Sequence, residues 1–300
     1  MKFNKIILIA SLVVVTTMST LGCSNSSSNK DKKNESVKTE ATSTKKKVEG
    51  SIIKDSNTLI DEDVKKYYDD YLIKHKKSME KTIKERPEVK DMAEENFKKI
   101  EKNLPTFIEL NQKAKESCAK GFYVEGTIKS SMENNGEHKL NIKSSNGNSR
   151  KEEHIDGKLA FLSIYSKDKD TAIDYDANKD KVKKVTKFSK KHSGEYPYQY
   201  GYFIHQGTNA PSADLKYIDY KGKKVVYGEN KFESIDNGGN KFKIISKYWY
   251  DAKTGIIIKE QQESYNGDGS KSTYSTEYTI KFNQKFDKDT FTFDKSKLKK

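Results

Sequence analysis

Between residues 55 and 118, apolar side chains recur at three- and four-residue spacing, which predicts amphipathic helices. The apolar face of the first helix consists of Val64, Tyr68, Tyr71, Leu72, His75, Met79 and Ile83. Pro87 stands where the first turn of a second helix is expected, and Pro105 is expected to end that helix before a third, shorter one. Each apolar stripe needs a surface to cover, and the nearest one in the chain is the β region that follows.

Residues 119–300 are predicted to form antiparallel strands, because apolar and polar residues alternate there over short segments. Asn-Gly or Asp-Gly pairs, which favour tight hairpins, stand at 135–136, 146–147, 156–157, 237–238, 266–267 and 268–269. The short connections predict about nine to eleven strands. The segment Leu159–Tyr165 is apolar on both faces, which predicts a central strand covered by the helices. The expected fold class is therefore α+β.

The N-terminus has the pattern of an export signal. A basic start and an apolar run fit a signal peptide over residues 1–22, and the run is shorter than the about 20 apolar residues that span a bilayer. It ends in Thr-Leu-Gly-Cys, which resembles a bacterial lipobox and implies cleavage before Cys23 and lipidation of that residue. Residues 23–54 are predicted to be the lipidated cysteine and a flexible tether. The protein is thus expected at the extracytoplasmic face of the cell membrane, anchored by lipid; a secreted protein with a free cysteine, or a short uncleaved anchor, is the alternative.

The composition narrows the classes of partner. The 300 residues include 58 Lys and Arg against 44 Asp and Glu, which gives a net charge of +14, and only 2 Cys. Two cysteines exclude a disulfide scaffold and a Cys-rich zinc module. The positive charge attracts anionic partners. For an exported protein these are expected to be teichoic acid, anionic lipid or an acidic protein surface, and no nucleic acid.

Little in the sequence indicates catalysis or metal binding. Four residues alternate as in a calcium loop, namely Asp174, Asp176, Asn178 and Asp180. A lysine replaces the glycine of such a loop and a valine replaces its final glutamate, so a polar hairpin turn is predicted instead. Glu260 and Glu263 are expected on opposite faces of one strand, which is poor geometry for paired carboxylates. No cofactor, no metal and no enzymatic activity are predicted, and no Gly-x-Ser-x-Gly motif is present.

Two groups of aromatic and apolar residues are candidates for a ligand or partner surface. The irregular segment 189–212 contains the first group, which consists of Tyr196, Tyr198, Tyr200 and Tyr202. The second group lies on one face of the last predicted strand and consists of Tyr274, Tyr278, Ile280 and Phe282. Its members either fill the core or line a site for an apolar ligand.

Two segments of the β region resemble the LolA-like bacterial lipoproteins. Residues 249–259, Trp-Tyr-Asp-Ala-Lys-Thr-Gly-Ile-Ile-Ile-Lys, resemble a hairpin of that family with an Asp-x-x-Thr-Gly turn. Residues 280–291, Ile-Lys-Phe-Asn-Gln-Lys-Phe-Asp-Lys-Asp-Thr-Phe, resemble its closing segment, in which Asn and Asp precede a Phe that folds back. Over residues 119–295 the resemblance implies a curved antiparallel half-barrel, with the N-terminal helical layer of residues 55–118 across its concave face. The nearest resemblance within the family is to Gram-positive sporulation and germination lipoproteins.

The resemblance implies a non-catalytic, membrane-anchored envelope lipoprotein that binds a partner protein. The germination lipoproteins are similar to scaffold proteins that support a cell-wall amidase during modification of the spore cortex. The resemblance therefore implies a cell-wall amidase as one expected partner. The alternative is a carrier or sensor that holds a lipid or another apolar ligand in the half-barrel cavity, and a hydrolase is a third alternative. Since one fold hosts many functions, the site has to decide between them.

Overall fold

Two long helices precede a large sheet. The computed structural model describes residues 46–54, 57–131, 137–187, 210–235 and 241–297. Helix α1 spans Glu62–Glu85 and helix α2 spans Lys90–Cys118, with a 3₁₀ turn at Pro87–Val89 between them. Further 3₁₀ turns lie at Ala210–Ser212, Lys288–Phe291 and Lys295–Lys297. Within the described residues, no helix is both long and apolar enough to cross a membrane.

Within the described residues, the large sheet has eleven strands, and every neighbouring pair is antiparallel. Two short strands, β1 Lys46–Lys47 and β2 Leu59–Ile60, form a separate ladder. The large sheet consists of β3 Phe122–Ser130, β4 His138–Ser145, β5 Asn148–Ile155, β6 Lys158–Ser166, β7 Thr171–Asp176, β8 Lys181–Lys187, β9 Asp214–Tyr220, β10 Lys223–Ile235, β11 Lys241–Asp251, β12 Ile257–Tyr265 and β13 Lys271–Phe282. Their order is β8-β7-β6-β5-β4-β3-β13-β12-β11-β10-β9. Strand β13 thus pairs with β3 in the middle of the sheet and joins two series of hairpins. Strands β8 and β9 are the edges, so the described sheet is open. The prediction of an α+β fold with a large antiparallel sheet is confirmed.

Two of the predicted dipeptides form tight hairpin turns, whereas the pairs at 266–267 and 268–269 lie together in the longer connection between β12 and β13. Asn146-Gly147 has φ values of 52° and 80°, and Asp156-Gly157 has 52° and 75°. Two positive φ values are what a tight hairpin of this type requires. The pairs at 135–136 and 237–238 lie outside the described residues. Lys221-Gly222, with φ of 48° and 75°, forms a turn of the same kind that the pattern does not predict, because lysine is uncommon at positive φ.

The prediction that Pro105 ends a helix is wrong. Helix α2 runs through this proline as one element of 29 residues. A proline inside a helix removes one backbone hydrogen bond. The chain continues in helical conformation because the turns after Pro105 are buried along one side, with Phe107 and Leu110 almost fully covered. Tertiary packing therefore outweighs the local preference of the proline.

The prediction of a central, helix-covered strand at Leu159–Tyr165 is also wrong. This segment is part of β6, which lies third from the β8 edge. Its Ala160, Leu162 and Ile164 side chains are buried, whereas Leu159, Phe161 and Ser163 on the other face are partly exposed. Leu162 and Ile164 pack with Tyr175 and Phe293. The cover on that face is therefore the C-terminal segment after β13 and not a helix.

Helix α2 lies against one face of the sheet, which we call the inner face. The buried cluster beneath it takes Phe107, Leu110 and Ala114 from α2, Val64 and Tyr68 from α1, and apolar side chains from β3, β4 and β10–β13. The even-numbered residues of β3, β4 and β13 point to this face, because side chains alternate along a strand and these residues share one register. The Phe107 ring meets the Tyr250 ring edge to face, with 5.7 Å between centroids.

Buried polar side chains of α2 fix the segments around the helix. The Asn103 side chain donates to the carbonyl oxygens of Pro211 and Ala213, at 2.9 and 2.7 Å, immediately before β9. On the other side of the helix, the Gln112 side chain accepts a hydrogen bond of 3.0 Å from the Asp61 backbone at the start of α1. Since buried polar groups are costly without partners, these contacts specify where α1 and the β9 edge sit on α2.

Candidate functional site

Of the two predicted surface groups, one lies on a described strand and the other lies outside the described residues. Cys23 and the group Tyr196, Tyr198, Tyr200 and Tyr202 lie outside the described residues. The group Tyr274, Tyr278, Ile280 and Phe282 lies on the inner face of β13. Tyr278, Ile280 and Phe282 pack with the buried cluster under the helices. Tyr274 is 39% exposed and is the member of this group that stays accessible. Its role in binding stays a prediction.

A carboxyl group lies among hydroxyl groups on this same face. Glu260 of β12 stands opposite Tyr248 of β11 and Thr276 of β13 in the sheet register. The Tyr278 hydroxyl donates to its Oε1 at 2.9 Å, and the Thr276 side chain is also hydrogen-bonded to the carboxyl. The Thr276 and Tyr274 hydroxyls are 3.0 Å apart. Tyr274, Thr276, Glu260 and Tyr278 therefore form one chain of hydrogen-bonding groups across β12 and β13.

Burial raises the pKa of Glu260 to about 7, and the hydrogen bonds from Tyr278 and Thr276 offset only part of that effect. Among the residues that the structure describes, no lysine or arginine forms an ion pair with this carboxyl. The residue nevertheless keeps part of its surface accessible. Glu260 is therefore a largely desolvated acid that keeps part of its surface exposed and that changes charge near neutral pH.

Two tyrosines of β11 lie near this carboxyl, and tyrosines of α1 lie near one of those two. Burial raises the pKa of Tyr248 to about 12, and the nearby Glu260 charge adds to the effect. Burial likewise raises the pKa of Tyr250, to which Tyr248, Glu260, and Tyr68 and Tyr71 of α1 contribute. Helix α1 therefore lies over the same part of the inner face. We call the set Tyr71, Tyr248, Tyr250, Glu260, Tyr274, Thr276 and Tyr278 the tyrosine site.

A glycine opposite Tyr278 helps to aim its hydroxyl. Gly126 of β3 is the register partner of Tyr278. A Cβ atom at Gly126 would lie 3.1 Å from both Cδ1 and Cε1 of the Tyr278 ring, which is closer than ordinary contact. The ring thus occupies the space that a side chain would take and extends toward Glu260. No sequence pattern indicates this role, since the glycine stands inside a strand without a turn pattern.

Beyond the tyrosine site, the inner face of β10 and β11 carries apolar side chains outside the packed core. Phe232 of β10 is the register partner of Ile244, and its ring lies 5.8 Å from the Phe242 ring. Phe232 is 38% exposed. Among the described residues, these three do not belong to the buried cluster under α2. We call Phe232, Phe242 and Ile244 the apolar strip. Ile244 is four residues from Tyr248 along β11, which places the strip roughly 13 Å from the tyrosine site at about 3.3 Å per residue.

The second glutamate of β12 has a different environment. Glu263 lies on the outer face, where its carboxylate accepts hydrogen bonds from Lys247 at 2.8 Å, Lys271 at 2.9 Å and Tyr265 at 2.8 Å. These hydrogen bonds lower its pKa to about 2. The prediction that Glu260 and Glu263 point to opposite faces is confirmed, and only Glu263 has its charge compensated by lysines.

No described group of side chains has the composition of a metal site. Three or more His, Cys, Asp or Glu residues do not come together anywhere in the part of the chain that the structure describes. In the calcium-like run, Asp174 and Asp176 lie on β7, and the residues after them form the turn to β8. Ser163 donates to Asp174 at 2.6 Å, and Lys183 lies 3.6 Å from Asp176. The run is a polar hairpin, as predicted.

No protein-family model matches the chain, and no curated protein is similar to it in sequence. Among the solved structures, it is similar to a LolA superfamily protein from Nitrosomonas europaea. That match has 11% identity and a TM-score of 0.26, and it covers 61% of this chain and 96% of the other.

The charge state of Glu260 predicts a specific pH dependence of stability. An unfolded glutamate titrates near pH 4.3, and the folded Glu260 titrates near 7. The stabilising contribution of a raised pKa is complete below the unfolded value and is lost as pH rises through the folded value. We therefore expect Glu260→Gln to gain stability relative to the wild type as the pH rises from 5 to 8.5, as measured by urea unfolding.

Glu263→Gln is the matched control for this measurement. The pKa of Glu263 is lowered to about 2, so its stabilising contribution is fully present above the unfolded value of about 4.3. This variant should lose the same stability at pH 5 and at pH 8.5. A difference between wild type and Glu260→Gln that does not change with pH would show that Glu260 titrates as an ordinary exposed acid.

Proposed function

We propose that this protein is a non-catalytic, membrane-anchored envelope protein that binds an amphipathic ligand on the inner face of its sheet. The observation that carries the proposal is the apolar strip. Phe232, Phe242 and Ile244 point to the face that α2 covers, yet they lie outside the buried cluster and Phe232 is 38% exposed. Phe242 and Ile244 are partly exposed beside it. Apolar side chains grouped in this way outside the core are typical of a surface that binds another molecule.

The tyrosine site supports an amphipathic ligand over a wholly apolar one. Ligand sites combine apolar walls with a few polar groups that fix orientation. In this protein the apolar strip provides the walls, and the hydroxyls of Tyr274 and Tyr278 with the Glu260 carboxyl provide the polar groups. The two parts lie on the same face of neighbouring strands, so one elongated molecule can reach both.

The location and the biological setting are part of the proposal and rest on the sequence. The lipobox-like residues that end in Cys23 support a lipid anchor at the extracytoplasmic face of the membrane. The resemblance to LolA-like lipoproteins supports a half-barrel with its helices on the concave face. The predicted protein partner, such as a cell-wall amidase, and the link to sporulation and germination rest on that resemblance alone. We therefore favour the carrier or sensor function over the scaffold function.

Native mass spectrometry tests this function on the Cys23→Ser form, which cannot be lipidated and can be purified without detergent. The protein is expressed with its signal peptide in an exporting bacterial host. We expect it to retain a molecule of lipid size, because binding removes apolar surface of the inner face from water. A spectrum of ligand-free protein, both as purified and after incubation with alkyl amphiphiles below their micelle concentrations, would contradict the proposal.

A further inference from the structure

Glu260 differs from the other recessed carboxyls of the sheet in the charge of its neighbours. Asp176, which is 2% exposed, has Lys183 within 3.6 Å, and Glu263, which is 9% exposed, has two lysines within 2.9 Å. Glu260 has only hydroxyl partners among the described residues. A desolvated carboxyl without a cation either stays protonated or acquires a counter-ion. The chain has 58 Lys and Arg, and none of the described ones supplies that counter-ion.

The rings around Glu260 have the chemistry that recognises a cation. The Tyr248 and Tyr250 side chains lie on one side of the carboxyl in β11, and Tyr274 and Tyr278 lie on the other in β13. The face of an aromatic ring attracts an ammonium group, and several rings together form the cages that bind alkylated ammonium groups. A carboxylate within such a cage adds direct charge pairing.

We propose that the tyrosine site binds the ammonium group of an amphiphile, with Glu260 as its counter-ion and the apolar strip as the surface for its alkyl chain. This inference rests on the proposed function and adds the chemical class of the head group. An ammonium group can enter from the accessible side, where Tyr274 is 39% exposed and Glu260 keeps part of its surface.

The other charged groups near the site leave this pairing open. On the β4–β5 side, Lys151 is held by Glu153 at 2.5 Å, and His138 lies 3.9 Å from the same Glu153. On the α1 side, the His75 ring lies 4.2 Å from the Tyr71 ring between centroids, tilted by 44°, and burial lowers the pKa of His75, which favours the neutral form. The described surroundings therefore present paired or neutral groups to the site, and Glu260 is the charge that remains to be balanced.

Cation binding is coupled to proton release from Glu260. When an ammonium group enters, the carboxyl loses its proton to the solvent and becomes the carboxylate of the ion pair, so charge and protons balance. The affinity of the wild type for a quaternary ammonium amphiphile should therefore rise between pH 6 and pH 8, because less free energy is then needed to remove the proton. A quaternary ammonium does not itself titrate, so the pH dependence reports the protein.

Isothermal titration calorimetry with probes of equal chain length tests the head group. The Cys23→Ser form is titrated with decyltrimethylammonium and with 1-decanol, each below its limit of aggregation or solubility. We expect the ammonium probe to bind at least about tenfold more tightly, which corresponds to about 1.4 kcal/mol. Glu260→Gln should abolish this preference, whereas Glu263→Gln, on the outer face of the same strand, should retain it.

The outcomes separate this inference from the proposed function. Equal binding of the two decyl probes, unchanged by Glu260→Gln and by pH, would overturn the ammonium inference and leave the amphipathic ligand in place. Absence of binding by both probes would overturn the proposed function as well. Tetramethylammonium carries the head group without the chain, and an affinity equal to that of the decyl probe would show that the site binds a small ammonium ion and no alkyl chain, against the proposal. The pH dependence of the wild type tests the inference even if Glu260→Gln does not fold.

Discussion

Replacement of Gly255 by alanine is expected to destabilise the protein by more than about 3 kcal/mol, among the largest effects of any single methyl group in this chain. Gly255 has a φ of 74° in the turn between β11 and β12. A Cβ atom at this position would clash with the backbone carbonyl of Leu110 and would lie 2.7 Å from the backbone nitrogen of Ala114. Both contacts are with the backbone of α2, which cannot move without leaving the sheet.

Gly269→Ala separates the clash from the backbone strain. Gly269 has a similar φ of 81°, and no atom lies within 4 Å of the position of its Cβ. This variant should lose only about 1 kcal/mol, the usual range for alanine at positive φ. Urea unfolding with unchanged slopes would measure both. Equal losses in the two variants would contradict the close approach of α2 to the turn.

The same turn explains a sequence pattern in physical terms. The Asp251 side chain accepts hydrogen bonds from the backbone of Lys253 at 2.8 Å and of Thr254 at 3.1 Å. The Ala252 carbonyl accepts a hydrogen bond of 2.8 Å from Lys113 of α2. The Asp-x-x-Thr-Gly segment is therefore a structural element that lets α2 lie on the sheet. Its presence is informative about the fold and not about a ligand.

The elements that repeat a simple period could be predicted from the sequence. Val64 and Tyr68, at the start of the predicted helical face, are fully buried in α1. The alternation in β13 places Tyr274 and Tyr278 on one face, as the structure shows. Local turn chemistry also predicts the β4–β5 and β5–β6 hairpins. In each of these cases, the decisive interaction lies within a few residues of the chain.

The features that depend on distant residues could not be predicted. The path of α2 through Pro105 depends on burial against strands that follow it in the chain. The cover on Leu162 comes from Phe293, 131 residues later. Local periodicity carries no information on either contact, which is why both predictions are wrong.

The tyrosine site is hidden for a related reason. Residues 259–264 read Lys-Glu-Gln-Gln-Glu-Ser, so β12 is polar on both faces and the pattern does not show which face the helices cover. The identity of the partners of Glu260 follows only from the register with β11 and β13. One sequence feature does indicate the face on which Glu260 lies. Glu260 follows Ile258 by two residues, and residues two apart in a strand share a face.

Replacement of Ile244 by glutamine is expected to weaken binding of an alkyl amphiphile by at least about tenfold. Burial of an isoleucine side chain against a ligand contributes about 1.5–3 kcal/mol, and a polar amide at the same position loses that contribution. Ile244 lies in the apolar strip on the inner face, opposite Phe232. Stability should change little, because the residue lies outside the buried cluster.

Ile245→Gln is the matched control on the next residue of the same strand. Ile245 stands opposite Lys231 and Glu263 and points to the outer face. Both variants replace the same side chain, partly exposed in both cases, by the same amide. Only their faces differ, so any difference in affinity reports the face on which the ligand binds.

The most direct test of a ligand site on the inner face is therefore a calorimetric titration of wild type, Ile244→Gln and Ile245→Gln with the same decyl probe. The structure predicts that Ile244→Gln loses at least about tenfold in affinity while Ile245→Gln stays within about twofold of the wild type. Equal affinities for all three proteins, or a larger loss for Ile245→Gln, would contradict a binding site on the inner face.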